Sequence, residues 1–375
     1  MLSPRNLMLG VSAFGLALAM ATIGYTAGIN SGVDVTKAKL YPNKHGTVAD
    51  FMPMSKFCGT RPLKVALSDG WGGNYWRHIT RAEFEDEASK CKNITETRYT
   101  DGEFKPEKQI SDIEGLVAQH FDVIVGFLDG GPAILKATRE ATKANVAFVP
   151  YDTGDGFPGK IGKDYVDRAT ESQREVGEQA AEWLVKTLHG KGNVIWFGGT
   201  PGNPMTMAQV TGYKEVFKKH PGIHLLEVDP VWTMWDPAVA QQKTAALIAK
   251  YPKIDGVYSE TTGPIRAFLA AGRPLPVYVG QSLMDLSCLA AAHPEMKMAS
   301  IDAHTWMVRL ALRKGVAAAE GINEPEPSLV TLPFTEDTTS KNPKLALKCD
   351  KSMPMDSIPS SMLNKEQQIK ALGGK

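Results

Sequence analysis

No run of five or six like charges occurs anywhere in the 375 residues, and 42 basic against 41 acidic residues leave a net charge of +1. A nucleic-acid partner needs a basic face to neutralise phosphates, so none is expected. A polybasic membrane anchor is excluded on the same ground. Cysteine is scarce, with four residues and no Cys-x-x-Cys or His-rich spacing of the kind that holds zinc. There is also no Gly-x-Ser-x-Gly, no His-Glu-x-x-His and no other nucleophile signature. Gly154 to Lys160 has the spacing of a P-loop, but Ile161 stands where Ser or Thr would hold magnesium, and Pro158 removes a cradling N–H. The glycines after Phe197 lack the dinucleotide pattern and are broken by Pro201 and Pro204. No metal, no cofactor and no catalytic residue is therefore expected.

What is present begins with a distinctive N-terminus. Arg5 precedes an apolar run from Leu7 to Ile23, followed by small residues near Ala21 and Thr26–Ala27, the pattern of a secretory signal peptide over residues 1–27. An uncleaved membrane anchor is the alternative, since the run is close to bilayer length. No cysteine lies near the cleavage point for lipid attachment, and no later apolar run reaches about eighteen residues, so a soluble periplasmic protein is expected. Export permits disulfides, and four cysteines allow three pairings. Cys58 with Cys91 would staple the N-terminal extension to the first helix, and Cys288 with Cys349 would tie down the C-terminal tail.

From residue 61 short apolar runs alternate with helix-period segments, the pattern of βαβ units and a mainly parallel sheet. One series of strands is expected at 63–67, 94–99, 122–127 and 146–151. A second is expected at 193–197, 223–228, 255–258, 277–279 and 298–301. Two series imply two α/β lobes. Helices fit at 75–91, 171–188 and 305–319, the last returning to the first lobe, and the tail from Thr335 reads as irregular until a short helix near 365–372. The expected organisation is a signal peptide at 1–27, an extension at 28–60, an N-terminal lobe from 61–167 plus 304–325, a C-terminal lobe from 168–303 plus 326–340, and a tail at 341–375.

In open α/β sheets ligands bind beyond the carboxyl ends of strands. Asp69, Trp71, Asn74, Trp76 and Arg77 lie where the first strand gives way to the first helix. Glycines there admit close backbone approach, indole faces suit the C–H face of a sugar ring, and Arg77 offers a fork of donors. A helix cap with Trp76 in the core is the structural alternative for the same residues. Asp152, after the fourth strand, offers a carboxylate to adjacent hydroxyls, or serves only as a turn former. Trp235 is a stacking wall, while Asp236 before Pro237 is assigned to helix capping.

The segment Gly72–Gly73–Asn74–Tyr75–Trp76–Arg77 is similar to a Gly-Asn-x-Trp-Arg segment in one branch of the ribose-binding-protein type of periplasmic solute-binding protein. Phe57–Cys58–Gly59, Tyr251 to Gly256 and Ile265 to Phe268 also look like that branch, and the resemblance runs from about Leu63 to Gly321. It implies two Rossmann-like lobes joined by a three-strand hinge, with a ligand cleft between them. It further implies delivery of a sugar to a membrane ABC permease by a monomer. Asn74 and Trp76 fall on first-lobe contacts, Arg77 on a second aromatic position, Asp152 on the carboxylate that grips hydroxyls, and Trp235 on the second-lobe ring. Where the family places Arg this chain has Met207. Where it places Asn there is Glu260 or Thr261, where Asp there is Ser282, and where Gln there is Asp302 or Ala303. The lost charges point away from ribose toward a modified sugar, a polyol or another small hydroxylated ligand. The rival functions are an exported hydrolase with paired carboxylates such as Asp152 and Glu260, and a ligand-loaded partner of a chemoreceptor.

Overall fold

The computed structural model of the chain describes residues 33–154 and 157–374. The signal peptide expected at residues 1–27 lies outside the described residues. Among them, no helix is long and apolar enough to cross a membrane.

Leu63–Asp69 is the pivot of the first sheet. Six of its seven residues are buried, as befits a parallel strand covered on both faces. Ile94–Asp101 pairs on one side and Val123–Phe127 on the other, with Ala147–Pro150 beyond, and every pairing is parallel. Helices Tyr75–Ser89, Pro106–Ala118 and Leu135–Lys143 make the crossovers. The strand order reverses at Leu63–Asp69, which opens a crevice at the carboxyl ends of these strands.

The second sheet runs Met298–Ile301, Val277–Gln281, Gly256–Tyr258, Gly192–Gly198 and Ile223–Leu225, all parallel. The strand expected to reach residue 228 stops at Leu225, ahead of Pro230, which has no N–H for a ladder. The other edge corrects an expectation. Phe334–Asp337 lies where an irregular tail was expected and pairs antiparallel with Met298–Ile301. Its polar content misleads because Glu336 is fully buried and satisfied, accepting from Ser287 Oγ at 2.6 Å, Ser300 Oγ at 2.8 Å and Lys348 N at 2.7 Å.

A small third sheet stands where the chain passes between the two larger ones. Thr170–Glu171, Leu329–Val330 and His45–Gly46 pair in parallel, so the N-terminal extension adds a strand to two crossing strands. The remaining passage, Asp302–Trp306, has no strand of its own. Helix Met307–Glu320 then packs against the first sheet and buries Arg313 and Lys314. Arg313 pairs with Glu87 and Glu326 at 2.8 Å each, and Lys314 with Glu324 at 2.7 Å and Asp167 at 3.1 Å. Removing one partner of such a buried pair costs about 3–5 kcal/mol.

Disulfides join Cys58 to Cys91 and Cys288 to Cys349, with Cα separations of 5.4 and 4.7 Å. They close spans of 33 and 61 residues, worth about 4 kcal/mol each on a chain-entropy account. Beyond Cys349 the tail touches both lobes. Met284 N and Asp285 N donate to Ser357 O and Met355 O, and the Ser361 hydroxyl and Met362 N then donate to Glu83 on the Tyr75–Ser89 helix.

Candidate functional site

The carboxyl ends of both large sheets face one cleft enclosing about 630 Å³, part of it open to solvent. Pockets of this size, with aromatic walls and a few polar groups, are typical small-ligand sites.

On the first wall Asn74 caps the Tyr75–Ser89 helix, accepting from Arg77 N at 2.9 Å, and still lines the cleft. Trp76 donates from its indole N–H to Ala303 O at 2.7 Å, tying the first lobe to a crossing segment. Arg77 is 5 % exposed and lies with its guanidinium 3.5 Å from the centroid of the Phe127 ring. Its Nη2 donates to both oxygens of Asp129, at 3.0 and 3.1 Å, and its Nη1 lies 3.4 Å from Asp69 Oδ1 and from the Tyr151 hydroxyl. Asp69 also accepts from the Tyr151 hydroxyl at 2.8 Å. Burial, working against the Arg77 charge, pushes the Asp69 carboxyl up to about 7, and raises Asp129 as well. The arginine is thus committed inside the wall and has no fork left for a ligand carboxylate.

On the second wall Trp235 has φ of 54°, in the left-handed region. Its ring lies over Gly199, where a Cβ would come within 2.1 Å of the indole, so only glycine fits beneath it. The indole N–H donates to Glu260, whose Oε1 also accepts from Gln209 at 2.8 Å and from the Tyr258 hydroxyl at 3.0 Å. A carboxylate held by three donors presents acceptor capacity to the cleft.

At the hinge, two passages contribute three buried titratable groups. Asp152 opens the first passage, Glu171 closes it, and His304 lies on the Asp302–Trp306 passage, with their ligand atoms within 4.8 Å of one another. Asp152 and His304 both have left-handed backbone, with φ of 54° and 45°. His304 Nε2 is 3.0 Å from Asp152 Oδ1, an ion-pair distance without hydrogen-bond alignment, so that oxygen keeps a free lone pair. Burial opposes both charges, yet their mutual attraction raises His304 to about 10 and holds Asp152 below the usual carboxylate range. Burial, and then the Asp152 charge, drives Glu171 well above its ordinary value. One imidazolium balances one carboxylate, and the second carboxyl keeps its proton. A divalent cation could take the same donor set by displacing that proton. Gln173 links Glu171 to Gln209 at 2.5 and 2.7 Å, so a line of hydrogen bonds joins the hinge cluster to Glu260.

Of the residues singled out in the sequence, Trp71, Asn74, Trp76, Arg77, Asp152, Trp235, Glu260 and Thr261 line the cleft. Asp69 lies beneath Arg77 and outside the lining. Ser282 and Asp302 are also outside it, while their near neighbours Gln281 and His304 are in it. Asp302 accepts from His304 N at 2.7 Å and from Trp306 Nε1 at 3.1 Å, which makes it the turn that presents the histidine. Met205 lines the cleft, and Met207, two residues further and so on the far side of the helix, is 44 % exposed. Phe127, Asp129, Phe104 and His304 escaped the sequence reading. Phe127 ends the Val123–Phe127 strand and Asp129 follows it, so the strand-end rule applied to every strand would have found them.

A family model described as "Periplasmic binding protein domain" matches residues 65–322. No curated protein matches. Among solved structures, the chain is similar to an ABC transporter solute-binding protein from Thermobispora bispora, with 20 % identity, a TM-score of 0.66 and coverage of 84 % of this chain and 97 % of that one. A solute-binding protein from Bacillus halodurans with bound myo-inositol shows 16 % identity, a TM-score of 0.64 and coverage of 74 % and 95 %. One from Actinobacillus succinogenes with bound D-allose shows 18 % identity, a TM-score of 0.62 and coverage of 72 % and 96 %. These likenesses carry the two-lobed architecture. The family model spans more than half of the chain, and the protein belongs to the periplasmic binding protein domain family.

Proposed function

We propose that this chain is the exported solute-binding component of an ATP-driven importer. It traps a small hydroxylated ligand, foremost a sugar, and hands it as a monomer to a membrane permease. The observation that carries the reading is a cleft at the carboxyl ends of both sheets, with Trp76 and Trp235 as walls and Asp152 and Glu260 as acceptors. Indole faces cover the C–H face of a ring while carboxylates take its hydroxyl protons. The myo-inositol and D-allose of the similar structures are hydroxylated rings of this kind. No chemistry follows capture. Contacts made to both walls at once exist only in the closed form, so ligand shifts an open ensemble to a closed one.

Calorimetry across a sugar and polyol panel, on protein stripped of carried-over ligand, tests this directly. Binding of at least one hydroxylated ring with unchanged mass after release is expected. Silence across the panel removes the sugar, and a product detected by mass spectrometry favours a hydrolase using Asp152 and Glu260.

A further inference from the structure

Phe104 is 49 % exposed and contributes to none of the hydrophobic clusters, yet it is held firmly. Glu103 and Phe104 are consecutive non-glycine residues in the left-handed region, with φ of 54° and 60°. Such backbone costs about 1 kcal/mol or more per residue and marks functional positions more often than chance. One carboxylate stabilises it: Asp101 Oδ1 accepts from Glu103 N at 2.8 Å and from Gly72 N at 3.1 Å. The loop bearing Trp71 is thereby tied to the loop bearing Phe104, and the two rings stack with centroids 4.3 Å apart and planes 19° from parallel. Both rings line the cleft.

Behind Phe104 lies a smaller cavity of about 270 Å³, which shares Phe104 and Asp129 with the main cleft as walls. Gln109, 1 % exposed, is another of its walls. The Gln109 amide nitrogen donates to Ser68 O at 3.1 Å and Phe127 O at 2.8 Å, which fixes the amide orientation, and its Oε1 has no partner. A buried acceptor left unpaired costs about 1–3 kcal/mol, a cost that a donor hydroxyl would remove. The charged walls of this cavity are already paired, Asp129 with Arg77 and Lys105 with Glu103 at 3.1 Å, which favours a neutral donor.

Given a sugar site in the main cleft, on which this rests, we propose that the physiological ligand is a neutral disaccharide. One ring lies between Trp76 and Trp235, and the other lies against the Trp71–Phe104 stack with a hydroxyl donated to Gln109 Oε1. An aromatic platform of this kind contributes about 0.5–1.5 kcal/mol beyond area burial, up to roughly tenfold in affinity.

The test is calorimetry on the ligand-stripped protein and its Phe104→Ala and Trp71→Ala variants, with neutral disaccharides and their constituent monosaccharides. The preferred disaccharide is expected to bind at least about tenfold more tightly than either monosaccharide. Phe104→Ala should cost about fivefold to tenfold for the disaccharide and less than about twofold for the monosaccharide. Phe104 is exposed, so its variant should fold, and an unchanged thermal midpoint without ligand checks this. Monosaccharides binding as tightly as any disaccharide, or equal losses for both sizes in both variants, would overturn the outer subsite and leave the sugar reading intact. Binding of neither size overturns the sugar reading and this proposal with it.

Discussion

The two walls of the cleft use similar parts in opposite ways. On the first lobe a cation, Arg77, is neutralised inside the wall by Asp129 and Asp69, with its flat face spent on Phe127. On the second lobe a carboxyl, Glu260, is held by three neutral donors, has no ion pair among the described residues, and lines the cleft. Both lobes set an aromatic ring on a pair of left-handed residues, Glu103–Phe104 on one side and Met234–Trp235 on the other. The difference is that the first wall spends its charged group internally, whereas the second sets a carboxyl on the cleft lining, beside neutral polar groups such as Asn74, Tyr75 and Gln281.

Substitutions can break this comparison, beginning with the largest effect. Asp152→Asn keeps the turn and one acceptor oxygen but removes the charge and turns the other oxygen into a donor, and ligand affinity should fall by about 100-fold or more, in line with loss of a charge-assisted contact. Calorimetry reads this, and a loss under about threefold would confine Asp152 to its turn. Glu260→Gln removes the second-lobe charge while retaining shape, and an affinity loss of about tenfold is expected by the same measurement.

The pH dependence of stability probes the hinge. The folded value of His304 is raised from 6.5 to about 10, so its contribution is fully present below about pH 6.5 and is lost as pH rises through about 10. Unfolding free energy should therefore drop between pH 7 and pH 10.5, on the order of 2–4 kcal/mol from this group. Denaturant titrations at several pH values measure it. His304→Gln should flatten the drop, and an unchanged slope would show that the imidazole carries no charge in the fold.

The smallest expected effect is the most discriminating. Glu171→Gln replaces a protonated acid by a neutral amide of the same shape, so affinity should change by less than about twofold and the thermal midpoint at pH 7 by no more than about 2 °C. Glu171→Leu, which leaves Gln173 without its acceptor and the Asp152 side without a donor, should lower stability by about 1–3 kcal/mol. A large loss in the amide variant would mean that Glu171 is ionised, as a bound cation would require.

Much of the first lobe is legible along the chain. Buried parallel strands such as 63–69 and 123–127 read as unbroken apolar runs because both of their faces are covered. The caps at Asn74 and Asp236 declare their helices through side chains that satisfy orphan N–H groups. The Phe334–Asp337 strand was not legible, because its buried polar groups find partners 12 to 49 residues away in sequence. Nor was the commitment of Arg77 to Asp129, which lies 52 residues on.

What the sequence by itself determined is the alternation of strands and helices, the two-sheet plan, the cysteines available for pairing and the aromatic and acidic residues at strand ends. These are properties of local periodicity and side-chain chemistry, written within a few turns of chain. Only the tertiary structure decided which charges are free. Asp129 cancels Arg77, His304 rather than Asp302 meets Asp152, and Glu171 keeps its proton. In a desolvated site a group's charge is set by what lies within a few ångströms, and the fold brings those neighbours together from distant parts of the chain.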